Sequence, residues 1–334
     1  MQLHCKDEAG SKDCHKKLNE GELEMNVLVL DKLAIGYKEA ILAKFPALVV
    51  HAAVKEEDVG GFIEKADVLM CARISDALMQ KASNLKWIQA VTTGTDYITR
   101  LPSLKKDVMI TTTRGIHAPQ VSEMVILLML ALNRNLSEVV RNQDKALWVS
   151  WPSKLLWKKK AGVLGIGVIG EEVARRCKVF GMEVFGMDIV KRDIEWVDHF
   201  YGPQDIVEVA AQVDFLILVA PHTPETGNIV GAKVLAAMKP TAFVINLARG
   251  ELIDDDALIR ALREGKIAGA GLDVYRQEPL PSDHPFWGMK NVMVIPHMGG
   301  PSDVYVEQAM AVIGENLKRY LSGERKNLIN MIER

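Results

Sequence analysis

Residues 161–177 read AGVLGIGVIGEEVARRC, and this stretch decides the fold of the second half of the chain. Gly165, Gly167 and Gly170 follow a short apolar run in the order G-x-G-x-x-G, and residues 171–177 then favour a helix. A glycine turn between a strand and a helix is typical of a βαβ unit that binds a dinucleotide. The stretch therefore predicts a Rossmann-type parallel sheet.

The three glycines have separate physical roles in such a turn. Gly165 permits the tight turn, Gly167 lets the backbone approach a pyrophosphate, and Gly170 lets the helix pack closely on the strand. The N terminus of the helix offers N–H groups and partial positive charge to the phosphates. The alternative is a glycine turn that only packs a helix on a sheet.

Asp188 lies 18 residues after Gly170, at the end of a second predicted strand. A carboxylate at this place accepts hydrogen bonds from the adenosine ribose and repels an added 2′-phosphate, so the sequence favours NAD over NADP. Lys191 and Arg192 weaken that preference, because either cation is able to pair with such a phosphate.

Short apolar runs alternate with longer helical segments from residue 26 onward, which predicts an α/β fold with two doubly wound parallel sheets. A long helix over residues 120–136 is apolar on most faces, so it is buried or forms a subunit contact. A last helix over 302–321 has a periodicity that does not say which domain it packs on. The predicted strands cover residues 27–30, 47–51, 68–70, 87–91, 161–164, 183–187, 215–219, 242–245, 269–272 and 292–295.

The bulk composition bounds the function. A chain of 334 residues is long enough for two domains, and its net charge of −2 argues against nucleic acid or an acidic membrane as a partner. The longest apolar run, residues 124–132, is too short to span a bilayer. Four cysteines without pairing rhythm indicate a reducing compartment, and we expect a cytoplasmic protein.

The first 24 residues are polar and charged, without the apolar segment of a secretory signal. His4, Cys5, Cys14 and His15 are possible zinc ligands, but their spacing fits no common zinc pattern. We therefore expect a disordered extension and no metal site.

Three later stretches each place polar side chains just beyond a predicted strand. NLARGELIDDDAL (246–258) carries Arg249, GLDVYRQEP (271–279) carries Asp273 and Glu278, and VIPHMGG (294–300) carries His297. In open α/β sheets, ligands bind beyond the carboxyl ends of the strands. We therefore expect these side chains to share one site with the dinucleotide.

An Arg–Glu–His set suits hydride transfer to a 2-oxo acid. Arg249 is able to hold a carboxylate bidentately and polarise the neighbouring carbonyl, and His297 to protonate the carbonyl oxygen. Glu278 would orient the imidazole and favour its charged form. Each residue also has a purely structural alternative. His297 would then be a hydrogen-bonded structural histidine, Arg249 would bond to carbonyl groups at a strand end, and Glu278 would be an exposed residue of a turn.

These stretches resemble the D-isomer-specific 2-hydroxyacid dehydrogenases, and the resemblance extends from residue 25 to the C terminus. Its most specific motif, N-x-A-R-G-x-x-(I/V)-D-x-x-A-L, is found at residues 246–258. The motif G-x-I-x-G-A-G-L-D-V-(F/Y)-x-x-E-P follows at 265–279, and P-H-x-G-G at 296–300. The family's P-x-T-P-E-T appears at 221–226 with His222 where leucine is more usual.

The resemblance implies a flavodoxin-like substrate-binding domain formed by residues 25–117 and 300–334. A Rossmann NAD-binding domain at 118–299 would be inserted into it, with the active site in the cleft. It also implies a homodimer, joined partly through the helix at 120–136. A chain that stops soon after its last helix leads us to expect no appended regulatory domain.

The resemblance also assigns site residues. Arg249, Glu278 and His297 would be catalytic, and the backbone N–H groups of Thr93 and Gly94 would bind the substrate carboxylate together with Arg249. The implied cofactor contacts are Gly165, Gly167, Val168, Ile169, Gly170, Asp188, Ala220, Pro221, Thr226, Leu247, Ala248, Arg249 and Asp273.

Three positions depart from the family or stand out near the expected cleft. Thr92 replaces a frequent glycine, which predicts a stiffer loop or a narrower pocket. Val168 replaces a frequent polar or basic residue, so the backbone would bind the phosphate alone. Arg73 is placed to read a second anionic group, although a solvated surface arginine is the more ordinary interpretation.

The resulting hypothesis is an NAD-dependent oxidoreductase. It would interconvert a small 2-oxo acid such as glyoxylate, hydroxypyruvate or pyruvate with the D-2-hydroxy acid. The alternative is an NAD(H)-sensing binding protein like the corepressor branch of the family. That branch has long C-terminal tails, so the short end of this chain favours the enzyme.

Overall fold

A computed structural model describes residues 25–333, and the expectations for residues 1–24 fall outside this range. The chain forms two compact units. The first comprises residues 25–91, 95–111 and 316–333, and the second comprises 92–94 and 112–315. These limits differ from the domain limits of 117/118 and 299/300 expected from the sequence, which stay a prediction.

The first unit contains a parallel sheet of five strands in the order β2-β1-β3-β4-β5. This is the flavodoxin-like order predicted for one of the two sheets. The strands are β1 (Asn26–Leu30), β2 (Val49–Ala53), β3 (Val68–Cys71), β4 (Trp87–Ala90) and β5 (Met109–Thr111). The helices between them are α1 (Ala34–Lys44), α2 (Phe62–Lys65), α3 (Asp76–Met79) and α4 (Asp96–Thr99).

The second unit begins its regular structure with two helices and continues with a parallel sheet of seven strands. The helices are α5 (Ala118–Asn133), α6 (Leu136–Asp144), α7 (Val168–Val179), α8 (Ile206–Gln212), α9 (Ala232–Ala237) and α10 (Asp255–Arg263). The strands are β6 (Lys160–Leu164), β7 (Glu183–Met187), β8 (His199–Tyr201), β9 (Phe215–Leu218), β10 (Phe243–Asn246), β11 (Gly269–Leu272) and β12 (Val292–Val294).

The order of this sheet, β12-β11-β10-β9-β6-β7-β8, is that of a Rossmann sheet with one further strand. The glycine loop leaves β6 at the centre, where the chain direction along the sheet reverses. In such sheets ligands bind at this switch point. The predicted α/β class with two doubly wound parallel sheets is therefore confirmed.

The burial of the strands in the cores of the two units explains why they could be predicted from apolar runs in the sequence. All four residues of β3, β4, β9 and β10 are buried, as expected for parallel strands covered by helices on both faces. Phe215 and Phe243 stack across neighbouring strands with their ring centroids 5.4 Å apart. Within residues 25–333, none of the helices has the length and apolar character needed to cross a membrane.

The last helix, α11 (Tyr305–Leu321), belongs partly to each unit, since the division falls between residues 315 and 316. In the first unit, the buried side chain of Asn316 donates from Nδ2 to Oε1 of Gln89 in β4 at 3.1 Å. Asn316 Oδ1 accepts the N–H of Ile329 at 2.6 Å. This polar contact ties the end of the chain to the five-stranded sheet and answers the question that periodicity left open.

Several predicted bounds need correction. The helix expected over 120–136 ends at Asn133, because Asn135 adopts a left-handed conformation with φ of 55° before α6 begins. Strand β2 lies two residues later than expected, the helix after the glycine loop begins at Val168, and the last helix begins at Tyr305. Strands β5 and β8 were missed because each is a three-residue strand that includes a polar residue, Thr111 in β5 and His199 in β8, and so gives no continuous apolar run.

Candidate active site

The glycine loop joins β6 to α7, and two of its three glycines are sterically required. Gly165 has a φ of +95°, and a Cβ there would lie 2.6 Å from backbone atoms of Ala220. A Cβ on Gly170 would lie 1.9 Å from the carbonyl oxygen of Gly165. A Cβ on Gly167 would meet nothing within 4 Å. Because Gly167 directly precedes α7, this open space adjoins the first helical turn, whose N–H groups favour an anion.

Asp188 follows β7 and binds the backbone of the glycine loop. Its Oδ2 accepts the N–H of Ile166 at 2.8 Å. Arg192 donates to the carbonyl oxygen of the same residue, so an acidic and a basic side chain both contact Ile166. Asp188 also lies at the edge of a depression of about 290 Å³. The other residues that line the depression are Ile189, Lys191, Phe200, Tyr201, Gly202, Pro203 and Gln204.

Arg249 follows β10 in a turn that its neighbours hold closed. Asn246 donates from Nδ2 to the carbonyl oxygen of Arg249 at 2.9 Å and accepts the N–H of Ala248 at 3.0 Å. The guanidinium donates from Nη1 to the carbonyl oxygen of Ala248 at 2.6 Å. A Cβ on Gly250 would lie 2.1 Å from the carbonyl carbon of Tyr275, so this glycine lets the turn touch the loop after β11.

His297 and Glu278 form a hydrogen-bonded pair, as predicted from their loops. Nδ1 of His297 lies 2.8 Å from Oε2 of Glu278, whose Oε1 accepts the N–H of Tyr275 at 3.2 Å. The side chain of His297 is 41% exposed and that of Glu278 is 18% exposed. His297 has a φ of 52°, which is uncommon outside glycine. The carboxylate therefore fixes Nδ1, and Nε2 is the ring nitrogen that does not bond to Glu278.

Asp273 holds the loop that carries His297. Its side chain is 2% exposed and accepts the N–H groups of Met298 at 2.7 Å and Gly299 at 3.0 Å. Its own carbonyl oxygen accepts the N–H of His297 at 2.9 Å. Burial raises the pKa of Asp273, while the two backbone N–H groups and His297 oppose this rise. The residue predicted to contact the cofactor is thus also bonded to the histidine loop.

Tyr275 joins the ends of β11 and β12. Its hydroxyl donates to the carbonyl oxygen of Leu272 at 2.6 Å and accepts the N–H of Ile295 at 3.0 Å. Burial raises the pKa of Tyr275, so the hydroxyl keeps its proton at neutral pH. The loops that carry Glu278 and His297 are therefore connected at their bases.

His117 directly precedes α5 and is 7% exposed. Its Nδ1 lies 2.8 Å from the hydroxyl oxygen of Thr93, and its Nε2 lies 2.8 Å from the hydroxyl oxygen of Tyr305. Burial and then the positive charge of Arg249 lower the pKa of His117 to about 4. The ring is therefore neutral at neutral pH and stands close enough to Arg249 to feel its charge.

All the site residues predicted from the sequence lie in the second unit, including Thr93 and Gly94. The structure brings Glu278, His297 and Asp273 together and places Ala220 against the glycine loop. Thr226 is bonded to its neighbour Pro221, since its hydroxyl donates to that carbonyl oxygen at 2.9 Å. Val168, which is half-exposed, and Ile169 are the first two residues of α7, and Leu247 and Ala248 lie in the turn after β10. The roles assigned to these residues stay predictions.

The two residues singled out outside this set have different surroundings. Arg73 belongs to the first unit, where its guanidinium stacks 3.8 Å from the ring centroid of Tyr97. His222 is exposed in the second unit. Arg73 therefore packs on an aromatic ring and is not simply solvated, but this contact does not test whether Arg73 binds an anion.

Sequence reasoning missed His117, Tyr305, Tyr275 and Asn246 as parts of this arrangement. Asn246 and Tyr275 lie within the quoted motifs, so their positions were visible although their bonds were not. A histidine immediately before an Ala-Pro helix start is a weak signal for His117. Tyr305 lies 188 residues from His117, and nothing in the sequence pairs them.

The sequence profile of the D-isomer specific 2-hydroxyacid dehydrogenase NAD binding domain matches residues 126–299. This segment contains the glycine loop, Arg249, Glu278 and His297. The chain belongs to this family. The resemblance noted from the motifs is therefore confirmed, and the family is one of oxidoreductases with a nicotinamide cofactor.

Similar proteins share nearly the whole chain. D-3-phosphoglycerate dehydrogenase of Methanocaldococcus jannaschii is 34% identical in an alignment of 316 positions, which covers 92% of this chain and 60% of that protein. A D-isomer specific 2-hydroxyacid dehydrogenase family protein of Aeromonas salmonicida has a TM-score of 0.85 at 31% identity, covering 93% of this chain and 99% of that one. An NADPH-dependent glyoxylate/hydroxypyruvate reductase of Sinorhizobium meliloti, solved with NADP and sulfate, has a TM-score of 0.80 at 26% identity, covering 92% and 98%.

Proposed function

We propose that this protein interconverts a small 2-oxo acid and the corresponding D-2-hydroxy acid with a nicotinamide cofactor. The observation that carries the proposal is the His297–Glu278 pair at 2.8 Å, held beside Asp273 in the unit that contains the glycine loop. Glyoxylate, hydroxypyruvate and pyruvate are the proposed substrates. Membership of the family and the name of the Sinorhizobium meliloti relative support this choice.

The chain supplies binding and proton transfer. Arg249 and the N–H groups of Thr93 and Gly94 would bind the substrate carboxylate, because a guanidinium and backbone amides are natural partners of an anion. Glu278 accepts from Nδ1 of His297 and keeps Nε2 turned toward the substrate, where it would donate a proton to the carbonyl oxygen. In the reverse direction the same nitrogen would accept the hydroxyl proton.

The cofactor would lie along the carboxyl ends of β6, β7, β9 and β10. The N–H groups at the start of α7 would bind the pyrophosphate, Asp188 the adenosine ribose, and Asp273 and Ala220 the nicotinamide side of the molecule. When bound, the reduced nicotinamide supplies the hydride for the carbonyl carbon. The open space at Gly167 and the depression beside Asp188 support this placement.

We propose NAD rather than NADP as the preferred cofactor. The Asp188 carboxylate accepts the Ile166 N–H and borders the depression, so a 2′-phosphate there would be repelled. Arg192 bonds to the Ile166 carbonyl and is the side chain best placed to reverse this preference.

The cofactor preference is tested by measuring kcat/KM with NADH and NADPH for the wild type, Asp188→Ser and Arg192→Ser. We expect the wild type to have a higher kcat/KM with NADH than with NADPH. Asp188→Ser should lower the ratio of the NADH value to the NADPH value, and Arg192→Ser should raise it. A wild type that prefers NADPH contradicts the proposal.

The reaction itself is tested by following NADH and NADPH oxidation at 340 nm against glyoxylate, hydroxypyruvate, pyruvate and longer 2-oxo acids. We expect turnover with at least one small acid. Arg249→Ala should raise the Michaelis constant for that acid by about 10-fold or more, because a charge-assisted contact contributes roughly 1.5–3 kcal/mol. If no acid is turned over although NADH still binds, the proposed enzymatic activity is contradicted and the NAD(H)-sensing alternative is favoured.

We propose a homodimer joined partly through α5. Exposed apolar side chains support this, since Leu127 is 50% exposed, Val140 is 51% exposed, and Trp148 beyond α6 is 99% exposed. We expect light scattering to give the mass of two chains and Val140→Asp to favour the monomer. Val179→Asp, at a 75% exposed valine at the end of α7, is the matched control. A monomeric wild type contradicts the proposal.

We also propose a reducing, cytoplasmic location, as expected from the cysteine pattern. Cys71 and Cys177 are buried free thiols, and burial raises the pKa of both. Cell fractionation with an antibody to the protein tests the location.

A further inference from the structure

A chain of hydrogen-bonded side chains ends at the loop that is proposed to bind the substrate carboxylate. His117 Nδ1 lies 2.8 Å from the hydroxyl of Thr93, and its Nε2 lies 2.8 Å from the hydroxyl of Tyr305. The two rings meet edge to face with their centroids 5.5 Å apart. We propose that His117 and Tyr305 are positioning residues that orient the Thr93 hydroxyl to donate to the substrate carboxylate. This inference rests on the proposed function.

The direction of the protons follows from the neutral ring. A neutral imidazole has one N–H donor and one acceptor nitrogen. When an anion lies beyond Thr93, the favourable order is that Tyr305 donates to Nε2, Nδ1 donates to Thr93, and Thr93 donates to the carboxylate. The opposite order would leave a lone pair of Thr93 facing the anion. The carboxylate therefore selects the tautomer in which Nδ1 carries the proton.

The surroundings of the ring keep it neutral. Thr93 and Tyr305 face its two nitrogens, a Cβ on Gly300 would lie 3.8 Å from its Cδ2, and Arg249 adds a positive charge nearby. A protonated ring would place a second cation beside Arg249 in a buried place. The neutral ring transmits an orientation and leaves the charge to Arg249.

The loop itself is already ordered on its other side. The hydroxyl of Thr92 donates to the carbonyl oxygen of Gly94 at 2.7 Å, and the N–H of Thr113 donates to the carbonyl oxygen of Thr92 at 3.2 Å. These bonds hold the backbone that carries the two amides. The side chain of Thr93 points to His117, so the Thr93 hydroxyl would be a further donor beside the two N–H groups and Arg249, which the family resemblance assigned to the carboxylate.

The first test compares Thr93→Val, Thr93→Ser, Tyr305→Phe and His117→Phe in steady-state kinetics with glyoxylate, or with the acid of the panel that turns over fastest. We expect Thr93→Val and His117→Phe to raise the Michaelis constant about 10-fold or more, and Tyr305→Phe about 3-fold to 10-fold. Thr93→Ser, which keeps the hydroxyl, should stay within about 3-fold of the wild type. The turnover number should change less than the Michaelis constant, and the NADH dissociation constant should not change.

A double-mutant cycle separates positioning from simple packing. If Tyr305 acts through His117, its hydroxyl has no further effect once His117 is replaced by phenylalanine. The double variant should therefore match His117→Phe in its Michaelis constant. Should His117→Phe fail to fold, the same cycle is measured between Tyr305→Phe and Thr93→Val. Ser122→Ala, which removes a buried hydroxyl of α5 that bonds to the Ala118 carbonyl oxygen at 2.6 Å, is the control for a loosened helix start.

Each outcome decides one point. An active wild type with unchanged Michaelis constants in Tyr305→Phe and Thr93→Val overturns this inference and leaves the proposed function standing. Fully additive effects in the cycle overturn it as well, because they show that Tyr305 does not act through His117. A wild type that turns over none of the acids overturns the proposed function, and this inference with it.

Discussion

Replacing His117 with glutamine should remove a pH dependence of folding that the wild type has. Burial and the charge of Arg249 lower the pKa of His117 to about 4, whereas an unfolded histidine titrates near 6.5. As the pH falls through this window, His117 binds a proton in the unfolded chain but stays neutral in the folded protein. The folded state therefore loses stability between about pH 6.5 and pH 4, and its stability is constant above that window with respect to this group.

The size of the effect follows from the two pKa values. At pH 5.0 the linkage relation gives a loss of about 2 kcal/mol relative to pH 7.5. Since His117 is only 7% exposed, solvent screening reduces this value little. Burial raises the pKa of Asp273, so this group acts in the opposite direction: the folded protein loses stability as the pH rises through the titration of Asp273. That contribution is common to both proteins and cancels when they are compared.

The assay is urea unfolding followed by circular dichroism at pH 7.5 and pH 5.0 for the wild type and His117→Gln. The wild type should lose about 2 kcal/mol more of its free energy of unfolding between the two pH values than the variant does. His222→Gln, at an exposed histidine of the same unit, should behave like the wild type. Equal losses in the wild type and His117→Gln would show that His117 is not held neutral, and the reasoning from burial would be refuted.

Three further predictions concern the loops of the site. His297→Ala should lower turnover about 100-fold or more while NADH binding, measured by fluorescence titration, is nearly intact, and unchanged turnover would remove His297 as the acid. Gly167→Ala should fold normally but bind NADH more weakly, because its Cβ would enter only the open space, whereas Gly170→Ala should lower the melting temperature because its Cβ would lie 1.9 Å from a carbonyl oxygen. Equal melting temperatures in the two variants would contradict this account. Tyr275→Phe should cost about 0.5–1.5 kcal/mol of stability in urea unfolding, since it removes the hydroxyl's bonds at the strand ends while the Ile295 N–H keeps its bond to the Leu272 carbonyl oxygen, and a cost near zero would mean that the strand ends do not depend on the hydroxyl.

The regular part of the fold was readable because buried parallel strands are continuous apolar runs. Residues 183–187 and 269–272 were predicted with the bounds that the structure has. Strand β8 escaped because it is a three-residue edge strand, His199–Tyr201, whose side chains are exposed or half-buried. The end of α5 was misplaced because apolar periodicity continues through Leu136, whereas the backbone reverses its local handedness at Asn135.

Some features of the candidate site could likewise be predicted from local sequence motifs, and others could not. The positions of Arg249, Glu278 and His297 beyond strand ends followed from local motifs, and the His297–Glu278 bond was inferred correctly from their chemistry. The bond between His117 and Tyr305 was invisible because it joins residues 188 positions apart through a fold that no local pattern encodes. Asp273 was assigned to the cofactor, and its bonds to Met298 and Gly299 became apparent only from the geometry.

The larger unit is not one continuous stretch of the gene. It includes residues 92–94, which are separated from residue 112 by a segment of the other unit. A recombination event that moved codons 112–315 alone would carry the glycine loop, Arg249, Glu278 and His297 into a new protein. It would leave Thr93 behind, and His117 would arrive without the hydroxyl at its Nδ1. Transfer of this segment would thus move the proposed cofactor site whole, but only part of the proposed site for the acid carboxylate.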